Sequence, residues 1–335
     1  MFTSLNLDIK EIENDITVFG RTRFGDAGEL RLSWSASGFG VRFFGAAIAV
    51  FVVPYESDSY VSVKFEIDGV PHKACIKTGA DIIFADGLED GEHTFRLFRA
   101  SEGDVPLQVK SLQVVGANPQ ILPYKPEYKF KMEVIGDSIT CGYAAFRGIR
   151  TGSSCFEEDA TIAYAHLVAE KLCAELRLIA YSGRGLVRSC AGEAANRFVD
   201  MFRRAEYASC SEPYNFGDWQ PDILVINGGT NDNGGAVSEE DFALGVRELY
   251  NAVRSVYPDT NILFFYGAMG NRYDGVYRAF VDELSKSDKK LFYTMVEAVD
   301  DDKSEMSAAH HPSYIGQKRL ARDFERALAN ILEIN

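Results

Sequence analysis

The chain has 335 residues, which is long for a single hydrophobic core and predicts two domains. Hydrophobic residues make up 46% and charged residues 25%, the composition of a soluble globular protein. The net charge of −14 argues against nucleic acid or an anionic membrane as the main partner, whereas a neutral ligand such as a sugar is compatible with it.

The beginning of the chain, MFTSLNLDIKEIENDITV, has no basic segment followed by an apolar one, so we expect no signal peptide. No apolar run reaches the ~20 residues of a membrane span. There is no Cys-x-x-Cys pair, which favours buried thiols in a reducing compartment. The cysteines are Cys75, Cys141, Cys155, Cys173, Cys190 and Cys210. We therefore expect a cytoplasmic protein, or a secreted one if an export signal has been removed.

The first part of the chain, residues 1–118, has the pattern of a β-sandwich. Several segments alternate apolar and polar residues, as half-buried strands do; they are LRLSWSAS (30–37), YVSVKFEI (60–67) and HTFRLFRA (93–100). Asp-Gly pairs, a strong hairpin signal, stand between such segments at positions 68–69, 86–87 and 90–91. Many short strands separated by turns predict an all-β jelly roll.

Residues 119–130 mark the expected domain boundary. Three prolines, Pro119, Pro123 and Pro126, lie within eight residues there. Because proline fixes φ and cannot donate to a β-ladder, this stretch cannot form a central strand or a helix. We interpret it as a linker.

Residues 131–335 predict an α/β domain with a parallel sheet covered by helices, an α/β/α sandwich. Continuous apolar runs of strand length recur as KMEVIG (131–136), LRLIAY (176–181), DILVING (222–228), NILFFYG (261–267) and KLFYTMV (290–296). Helical periodicity separates them, as in TIAYAHLVAEKLCAEL (161–176) and EEDFALGVRELYNAVRSVY (239–257). Such alternation is typical of a buried parallel sheet, and we expect each of the five strands to be followed by a helix.

The residues just beyond these strands carry the chemistry. In an open parallel sheet, ligands bind outside the carboxyl ends of the strands. The segments there are GDS (136–138), SGRG (182–185) and GGTND (228–232), and beyond the fifth strand AAHHPS (308–313). They supply a hydroxyl, a flexible glycine turn, a side-chain amide and an imidazole, which are the groups that acyl transfer needs.

Each of these residues also has a structural interpretation. Ser138 could cap a helix, and Gly183 and Gly185 could be ordinary turn glycines. Asn231 could form an Asx-turn, and His311, which precedes a proline, could begin the last helix. Only their predicted convergence at one end of the sheet favours catalysis.

The four motifs, GDSIT, SGRG, GGTND and HPS, resemble the blocks of the SGNH, or GDSL, hydrolase superfamily in order and spacing. With the β-rich part before them, including GRTRF (20–24) and LRLSWSASGFGVRFFG (30–45), the whole chain resembles carbohydrate esterase family two. Members of that family combine a jelly roll with an SGNH domain that removes acetyl groups from sugars.

The resemblance implies a role for each motif residue. Ser138 would be the nucleophile and His311 the general base. The backbone N–H groups of Ser138 and Gly183 and the side-chain amide of Asn231 would form the oxyanion hole. These roles agree with the chemistry, because a serine hydroxyl needs a base and the tetrahedral intermediate needs fixed donors. Such a reaction requires neither a cofactor nor a metal, since water resolves the acyl-enzyme.

One position departs from the superfamily pattern. SGNH enzymes usually place an aspartate two or three residues before the histidine, but Ala309 and Ala308 stand there. As in some members of the resembled family, we expect a Ser-His dyad whose histidine is held by a backbone carbonyl. A carboxylate from DDDK (300–303) is the alternative. His310 is a second candidate base, but His311 is preferred because it matches the His-Pro-Ser block.

We expect a serine esterase that removes O-acetyl groups from oligo- or polysaccharides. A sugar site is often lined by aromatic rings, and Trp219, with Tyr214 and Phe216, is a candidate; core packing is the alternative for all three. Cys141, near Ser138, is expected to face the core rather than to react. Two other functions remain open: a lipid or thioester hydrolase on the same scaffold, and a catalytically inert carbohydrate-binding protein.

Overall fold

The structure of the protein is a computed structural model that describes residues 1–54, 61–76, 79, 81–103, 106–146, 157–208, 212–217 and 219–333. The chain forms two compact units. The first comprises Met1–Glu127 and Ala205–Ala208; the second comprises Tyr128–Arg204 and Ser209–Asn335. The division after Glu127 falls inside the stretch that we interpreted as a linker.

The first unit is built of short strands. They are β1 (Thr3–Asp8), β2 (Thr17–Phe19), β3 (Thr22–Phe24), β4 (Leu30–Leu32), β5 (Gly38–Gly45), β6 (Ala47–Pro54), β7 (Val61–Ile67), β8 (Val70–Ile76), β9 (Asp81–Ala85), β10 (Gly91–Arg99), β11 (Leu107–Gly116) and β12 (Gln120–Leu122). All pairs are antiparallel. One sheet has the order β3-β4-β11-β6-β9, with β1 also on β11; the other has β12-β5-β10-β7-β8, with β2 on β5.

The two sheets share one hydrophobic core. Alternate residues of β6 are buried, among them Ile48, Val50 and Val52, and on β10 Phe95 and Leu97 are fully buried. A period of two follows from side chains pointing to opposite faces of a strand. It was predicted for 93–100, where it holds only up to Leu97, because Phe98, Arg99 and Ala100 are all buried. The predicted β-sandwich is confirmed.

The hairpin predicted at residues 68–69 is present between β7 and β8. Asp68 and Gly69 have φ values of 48° and 78°, and Ile67 pairs with Val70 across the turn. Positive φ at both central residues is what a two-residue turn between twisted strands requires. The pair at 90–91 makes no such turn, because Gly91 already begins β10 and Asp90 accepts the amide of Ala117.

Two sequence interpretations in the first unit need correction. The segment 30–37 is a strand only at β4; beyond it Trp34 Nε1 donates to the carbonyl of Ala205 at 2.9 Å, and the hydroxyl of Ser33 accepts the amide of Tyr207 at 3.0 Å. The stretch 119–130 is not wholly a linker, because β12 pairs with β5 at the sheet edge. An edge position is compatible with the flanking prolines.

The second unit is an α/β domain. Its strands are β13 (Phe130–Gly136), β14 (Ala174–Ala180), β15 (Ile223–Asn227), β16 (Asn261–Tyr266) and β17 (Leu291–Met295). Its helices are α1 (Ser138–Cys141), α2 (Tyr164–Leu172), α3 (Phe198–Phe202), α4 (Thr230–Gly234), α5 (Glu239–Val256), α6 (Asp274–Leu284) and α7 (Tyr314–Leu332), with short 3₁₀ turns at Ala160–Ile162 and Ala308–His310.

All five strands of the second unit are parallel, in the order β14-β13-β15-β16-β17. Every residue of the central β15 is buried, α2 packs with α7, and α5 packs with α6. A continuous apolar strand needs cover on both faces, so the predicted parallel α/β domain is confirmed.

The helices differ from the prediction in two places. The segment predicted as helical to residue 176 ends at Leu172, because Cys173 adopts a left-handed conformation with φ of 56° and β14 begins at Ala174. After β14 the described chain has a long loop and only the short α3, rather than a full helix, before β15.

The remaining expectations concern cysteines and membrane spans. Cys141 is buried, as expected, whereas Cys173 and Cys190 are exposed free thiols, so the expectation of burial is wrong for these two. Cys155 and Cys210 lie outside the described residues. Among the residues that are described, no helix combines the length and apolarity needed to cross a bilayer.

Candidate active site

The carboxyl end of β13 presents Ser138. The strand ends at Gly136, and Asp137 caps α1 by accepting the amide of Ile139 on its Oδ1 at 3.0 Å. Ser138 is therefore the first residue of the helix and not its cap, so the capping interpretation of Ser138 is wrong. Its hydroxyl instead lies 2.7 Å from Nε2 of His311.

His311 contacts Ser138 although the two residues are 173 positions apart in the chain. Its backbone is held on both sides, since its carbonyl accepts the amide of Ser307 at 2.7 Å and its amide donates to the carbonyl of Ala308 at 3.1 Å. The ring packs against that of Tyr143, with centroids 4.8 Å apart. These contacts hold the imidazole next to the hydroxyl of Ser138.

The second histidine of the pair does not share this position. His310 is exposed, and its Nδ1 lies 3.3 Å from the sulfur of Met306. Ala309 and His310 have φ values of 51° and 63°, so the chain takes an unusual turn immediately before His311. Of the two histidines, only His311 contacts Ser138.

No carboxylate of the described residues orients His311. Among the described residues, its Nδ1 is buried without a hydrogen-bond partner. Burial lowers the pKa of the imidazole, while the backbone of Ala308 and of Ala309 raises it. In the acidic run 300–303, Asp300 pairs with Lys303 at 3.4 Å, and Asp302 is exposed. A carboxylate from that run does not hold His311 in this structure.

The loop that follows β14 carries Gly183, with φ of 76°. The amide of Cys190 donates to the carbonyl of Gly183 at 3.0 Å, which closes the loop on itself. Gly185 has no room for a side chain, because a Cβ there would lie 2.2 Å from the carbonyl oxygen of Arg188. The glycines of SGRG are therefore required by a specific loop shape.

Asn231 lies in the first turn of α4 and is buried. Its Nδ2 donates to Oδ2 of Asp137 at 3.1 Å and to the carbonyl of Arg184 at 2.8 Å. It is not a helix cap, since Gly229 occupies that position. One amide group thus joins the turn that bears Ser138 to the loop that bears Gly183.

Two buried polar residues around the site were missed by the sequence reasoning. Asp232, next to Asn231, accepts backbone amides from the loop after β14. Gln317 on α7 accepts the amide of Tyr164 and donates to the carbonyl of Ile139, both at 2.9 Å. The position of Asp232 within GGTND was a usable signal, whereas nothing local marks Gln317.

The structure contradicts the assignment of Trp219 to this site. Its Nε1 donates to Glu175 at 2.7 Å, and the guanidinium of Arg177 lies 3.7 Å from its ring centroid. Glu175 pairs with Lys131, five residues before Gly136, which is about 16 Å along the strand at ~3.3 Å per residue. Trp219 therefore lies near the amino ends of the strands, whereas Ser138 lies at their carboxyl ends.

The other two aromatic candidates lie near Trp219 rather than near Ser138. Tyr214 contacts Arg177 through its hydroxyl, and Phe216 packs on Phe202 and Tyr257 with centroids 4.9 and 5.5 Å apart. Both are half-buried, and Phe216 packs against other aromatic rings, which is closer to the alternative interpretation of structural packing. The error arose because they precede β15, and residues that precede a parallel strand lie at its amino end.

The arrangement around Ser138 suits nucleophilic acyl transfer. A hydroxyl in hydrogen-bond contact with a half-buried imidazole can be deprotonated as it attacks a carbonyl. Backbone N–H groups at the start of α1 and in the loop after β14, and the amide of Asn231, come from three successive strand ends. Donors placed in this way can stabilise an oxyanion.

Two family models match the chain. Residues 134–319 match the GDSL-like Lipase/Acylhydrolase family, and residues 18–122 match the Carbohydrate esterase 2 N-terminal domain. The chain is 27% identical over 255 residues to "Cellulase/esterase CelE" of Acetivibrio thermocellus, covering 75% of this chain and 31% of that protein. The chain thus spans about a third of the length of CelE.

A second relative matches over nearly the whole length. It is the "Acetylxylan esterase / glucomannan deacetylase" of Cellvibrio japonicus, 25% identical over 328 residues, which covers 95% of this chain and 87% of that protein. Among solved structures, an acetyl xylan esterase from Butyrivibrio proteoclasticus matches with a TM-score of 0.90 at 19% identity, covering 99% of each chain. At that identity the match establishes the fold. The resemblance to carbohydrate esterase family two is confirmed.

Proposed function

Because the chain belongs to the GDSL-like Lipase/Acylhydrolase family, we propose that it is a serine esterase that removes O-acetyl groups from carbohydrates. The observation that carries the proposal is the 2.7 Å contact between the hydroxyl of Ser138 and Nε2 of His311. The Carbohydrate esterase 2 match of residues 18–122 and the deacetylase names of the relatives support the acetylated carbohydrate as substrate.

The reaction begins at Ser138. His311 Nε2 takes the hydroxyl proton as the serine oxygen bonds to the acetyl carbon, and the carbonyl π electrons move onto oxygen. The resulting oxyanion accepts hydrogen bonds from the backbone N–H groups of Ser138 and Gly183 and from Nδ2 of Asn231. Loss of one such donor typically reduces the rate by ~10²–10³.

Collapse of the intermediate breaks the bond to the sugar oxygen. His311 gives its proton to that oxygen, and the sugar leaves with a free hydroxyl while the acetyl group stays on Ser138. A water molecule then attacks the acetyl-enzyme, with His311 again as the base. Acetate leaves, and Ser138 regains its proton.

This scheme is a dyad mechanism. During attack the imidazole becomes positively charged, and within the described parts of the chain no carboxylate bonds Nδ1 to stabilise that charge. The backbone of Ala308 and of Ala309 favours the protonated form of His311, and this is the compensation we assign to it.

Asn231 needs a small rearrangement to serve as an oxyanion donor. Its two amide protons already have acceptors, Oδ2 of Asp137 and the carbonyl of Arg184. A developing oxyanion is a stronger acceptor than a neutral carbonyl, so we infer that it shares the proton now given to Arg184. The bond to Asp137 keeps the side chain in place.

The test is acetate release from acetylated xylo- and manno-oligosaccharides by the wild type and by Ser138→Ala. We expect the variant to lose at least about 10³-fold in kcat, because removal of a covalent nucleophile typically has that effect. Ser255→Ala is the matched control, since its hydroxyl bonds the carbonyl of Ala252 on α5 and has no other partner among the described residues. Activity of a folded Ser138→Ala variant within tenfold of wild type would contradict the assignment.

A further inference from the structure

Asp232 is a charged residue with no exposure to solvent and no role in the reaction just described. Its Oδ1 accepts the amides of Val187 at 2.7 Å and of Arg188 at 3.0 Å, and its Oδ2 accepts the amide of Leu186 at 2.9 Å. Three consecutive N–H groups that face one carboxylate form an anion-binding concavity. Each of its described hydrogen-bond donors is a backbone amide.

These three amides belong to the loop that carries Gly183. The carbonyl of Gly183 accepts the amide of Cys190, and the carbonyl of Arg184 accepts Nδ2 of Asn231. Asn231 therefore holds the beginning of the loop at Arg184, and Asp232 holds its middle at residues 186–188. A shift of the middle of the loop would carry Gly183 with it.

The fit between carboxylate and loop is close. A Cβ at Gly185 would lie 2.5 Å from Oδ2 of Asp232, so the backbone lies directly against the carboxylate. Burial opposes ionisation of Asp232 and raises its pKa, while the amides of Arg188, Val187 and Leu186 lower it. A buried carboxylate that depends on backbone donors alone holds those donors in one geometry, because any displacement leaves it unsatisfied.

We propose that Asp232 is a positioning residue of this esterase, whose carboxylate fixes the loop 183–190 so that the N–H of Gly183 points to the site where the oxyanion forms. The proposal rests on the proposed function, which assigns that N–H to the oxyanion hole. Asp232 touches no reacting atom in it. It acts through the loop, and Asn231 and Asp232 together hold the loop against α4.

The test uses Asp232→Asn, which keeps the shape of the side chain but replaces one acceptor oxygen by a donor. That donor faces an N–H group, so at least one amide loses its partner and the loop loosens. We expect kcat for an acetyl ester to fall about 10- to 100-fold, in line with weakening of one oxyanion donor, and KM to change less than threefold. Inactivation by a fluorophosphonate, whose oxygen takes the oxyanion position, should slow by the same factor.

Two controls separate positioning from a loss of stability. Asp241→Asn changes an exposed carboxylate at the start of α5 and should leave kcat unchanged. Leu249→Ala opens a cavity at a buried position of α5 and should lower Tm without lowering kcat. Asp232→Ser, which keeps one acceptor, serves if Asp232→Asn does not fold.

Hydrogen exchange gives a readout that needs no substrate. In Asp232→Asn, amides of residues 181–190 should exchange at least tenfold faster than in wild type, while those of β15 stay unchanged. If neither variant folds, exchange in the wild type decides through the loop amides that are hydrogen-bonded: those of Leu186, Val187 and Arg188, which donate to Asp232, and that of Cys190, which donates to the carbonyl of Gly183. Exchange of these amides as slow as that of β13 supports the proposal, and rapid exchange overturns it.

A folded Asp232→Asn variant with unchanged exchange in 181–190 and kcat within twofold of wild type would also overturn the proposal. The proposal would also be overturned if Leu249→Ala, at the same loss of Tm as Asp232→Asn, showed the same fall in kcat. If the wild type hydrolyses no ester, the proposed function has failed, and the exchange measurement still decides whether Asp232 fixes the loop.

Discussion

Two influences act on His311 in opposite directions. Burial lowers the pKa of its imidazole below 6.5, and the backbone of Ala308 and of Ala309 partly reverses this. The neutral imidazole is the base, so kcat/KM rises as the pH increases through this pKa. We therefore expect the acidic limb of the kcat/KM profile for an acetyl ester to have its midpoint below pH 6.5. A midpoint at or above pH 7 would show that an anionic group stabilises the imidazolium.

His310 provides the control for that profile. It is exposed and its charge lowers the pKa of His311, so His310→Ala should keep kcat within about twofold and move the limb slightly towards higher pH. His311→Ala should lose at least about 10³-fold in kcat, as expected for the base of a catalytic pair. The reverse order of effects would contradict the choice of His311.

For single residues, the sequence predicted Ser138, Asn231 and His311 but not the buried residues around them, Asp232 and Gln317. Ser138 and His311 were found because their motifs follow strand ends, and parallel strands bring those ends together. Trp219 was wrongly assigned to the site because it precedes β15, and a residue that precedes a parallel strand lies at the amino end of the sheet. Asp232 was overlooked, although it lies within GGTND, because the sequence does not show that its partners are backbone amides of the loop after β14.

The helix α7 positions the base relative to the nucleophile. It begins at Tyr314, three residues after His311, with Ser313 as its cap. Its Gln317 bonds the carbonyl of Ile139 in α1 and the amide of Tyr164 in α2. Gln317 is fully buried, so both bonds form without competition from water. One side chain thus ties the element after His311 to the element that contains Ser138.

Gln317→Met keeps the volume of the side chain and removes both hydrogen bonds. The buried amide of Tyr164 then lacks its partner, which costs about 1–3 kcal/mol, while the carbonyl of Ile139 keeps the amide of Gly142 at 3.4 Å. The Ser138–His311 geometry relaxes as α7 loses its bond to α1. We expect a lower urea midpoint and a several-fold lower kcat. The exposed Gln220→Met is the matched control and should change neither. An unchanged kcat in a destabilised Gln317→Met variant would show that α7 does not set this geometry.

The sequence predicted the strands better than the segments between them. β13, β15, β16 and β17 begin and end within one residue of the apolar runs. The helix before β14 was predicted to be too long because its apolar period continues into the strand. In the structure Cys173 ends the helix by adopting a left-handed φ. A backbone conformation of that kind is unfavourable for cysteine and leaves no signal in the pattern.

For the whole molecule, the prediction of a β-sandwich followed by a parallel α/β domain is confirmed. The assignment of Ala205–Ala208 to the first unit could not be predicted. In that unit Glu206 pairs with Arg31 at 2.8 Å, and Tyr207 packs on Trp34. These contacts join residues about 175 positions apart, and a local pattern carries no information about such a pairing.

The central claim, that the substrate's acyl group is acetyl, concerns the whole molecule and its acyl pocket. A pocket that has to hold only a methyl group disfavours each added methylene, and forcing extra atoms into a packed site costs ~1–3 kcal/mol. That corresponds to about one to two powers of ten in rate. A lipid or thioester hydrolase gains instead about 0.8 kcal/mol from each buried methylene.

The measurement is kcat/KM for a series of aryl esters from acetyl to octanoyl, with Ser138→Ala as the background. We predict a maximum at acetyl, a steep fall by butyryl and negligible hydrolysis of the octanoyl ester. A maximum at six or more carbons would contradict the deacetylase while leaving the Ser138–His311 mechanism in place. Hydrolysis of none of these esters by the folded wild type would contradict the esterase itself.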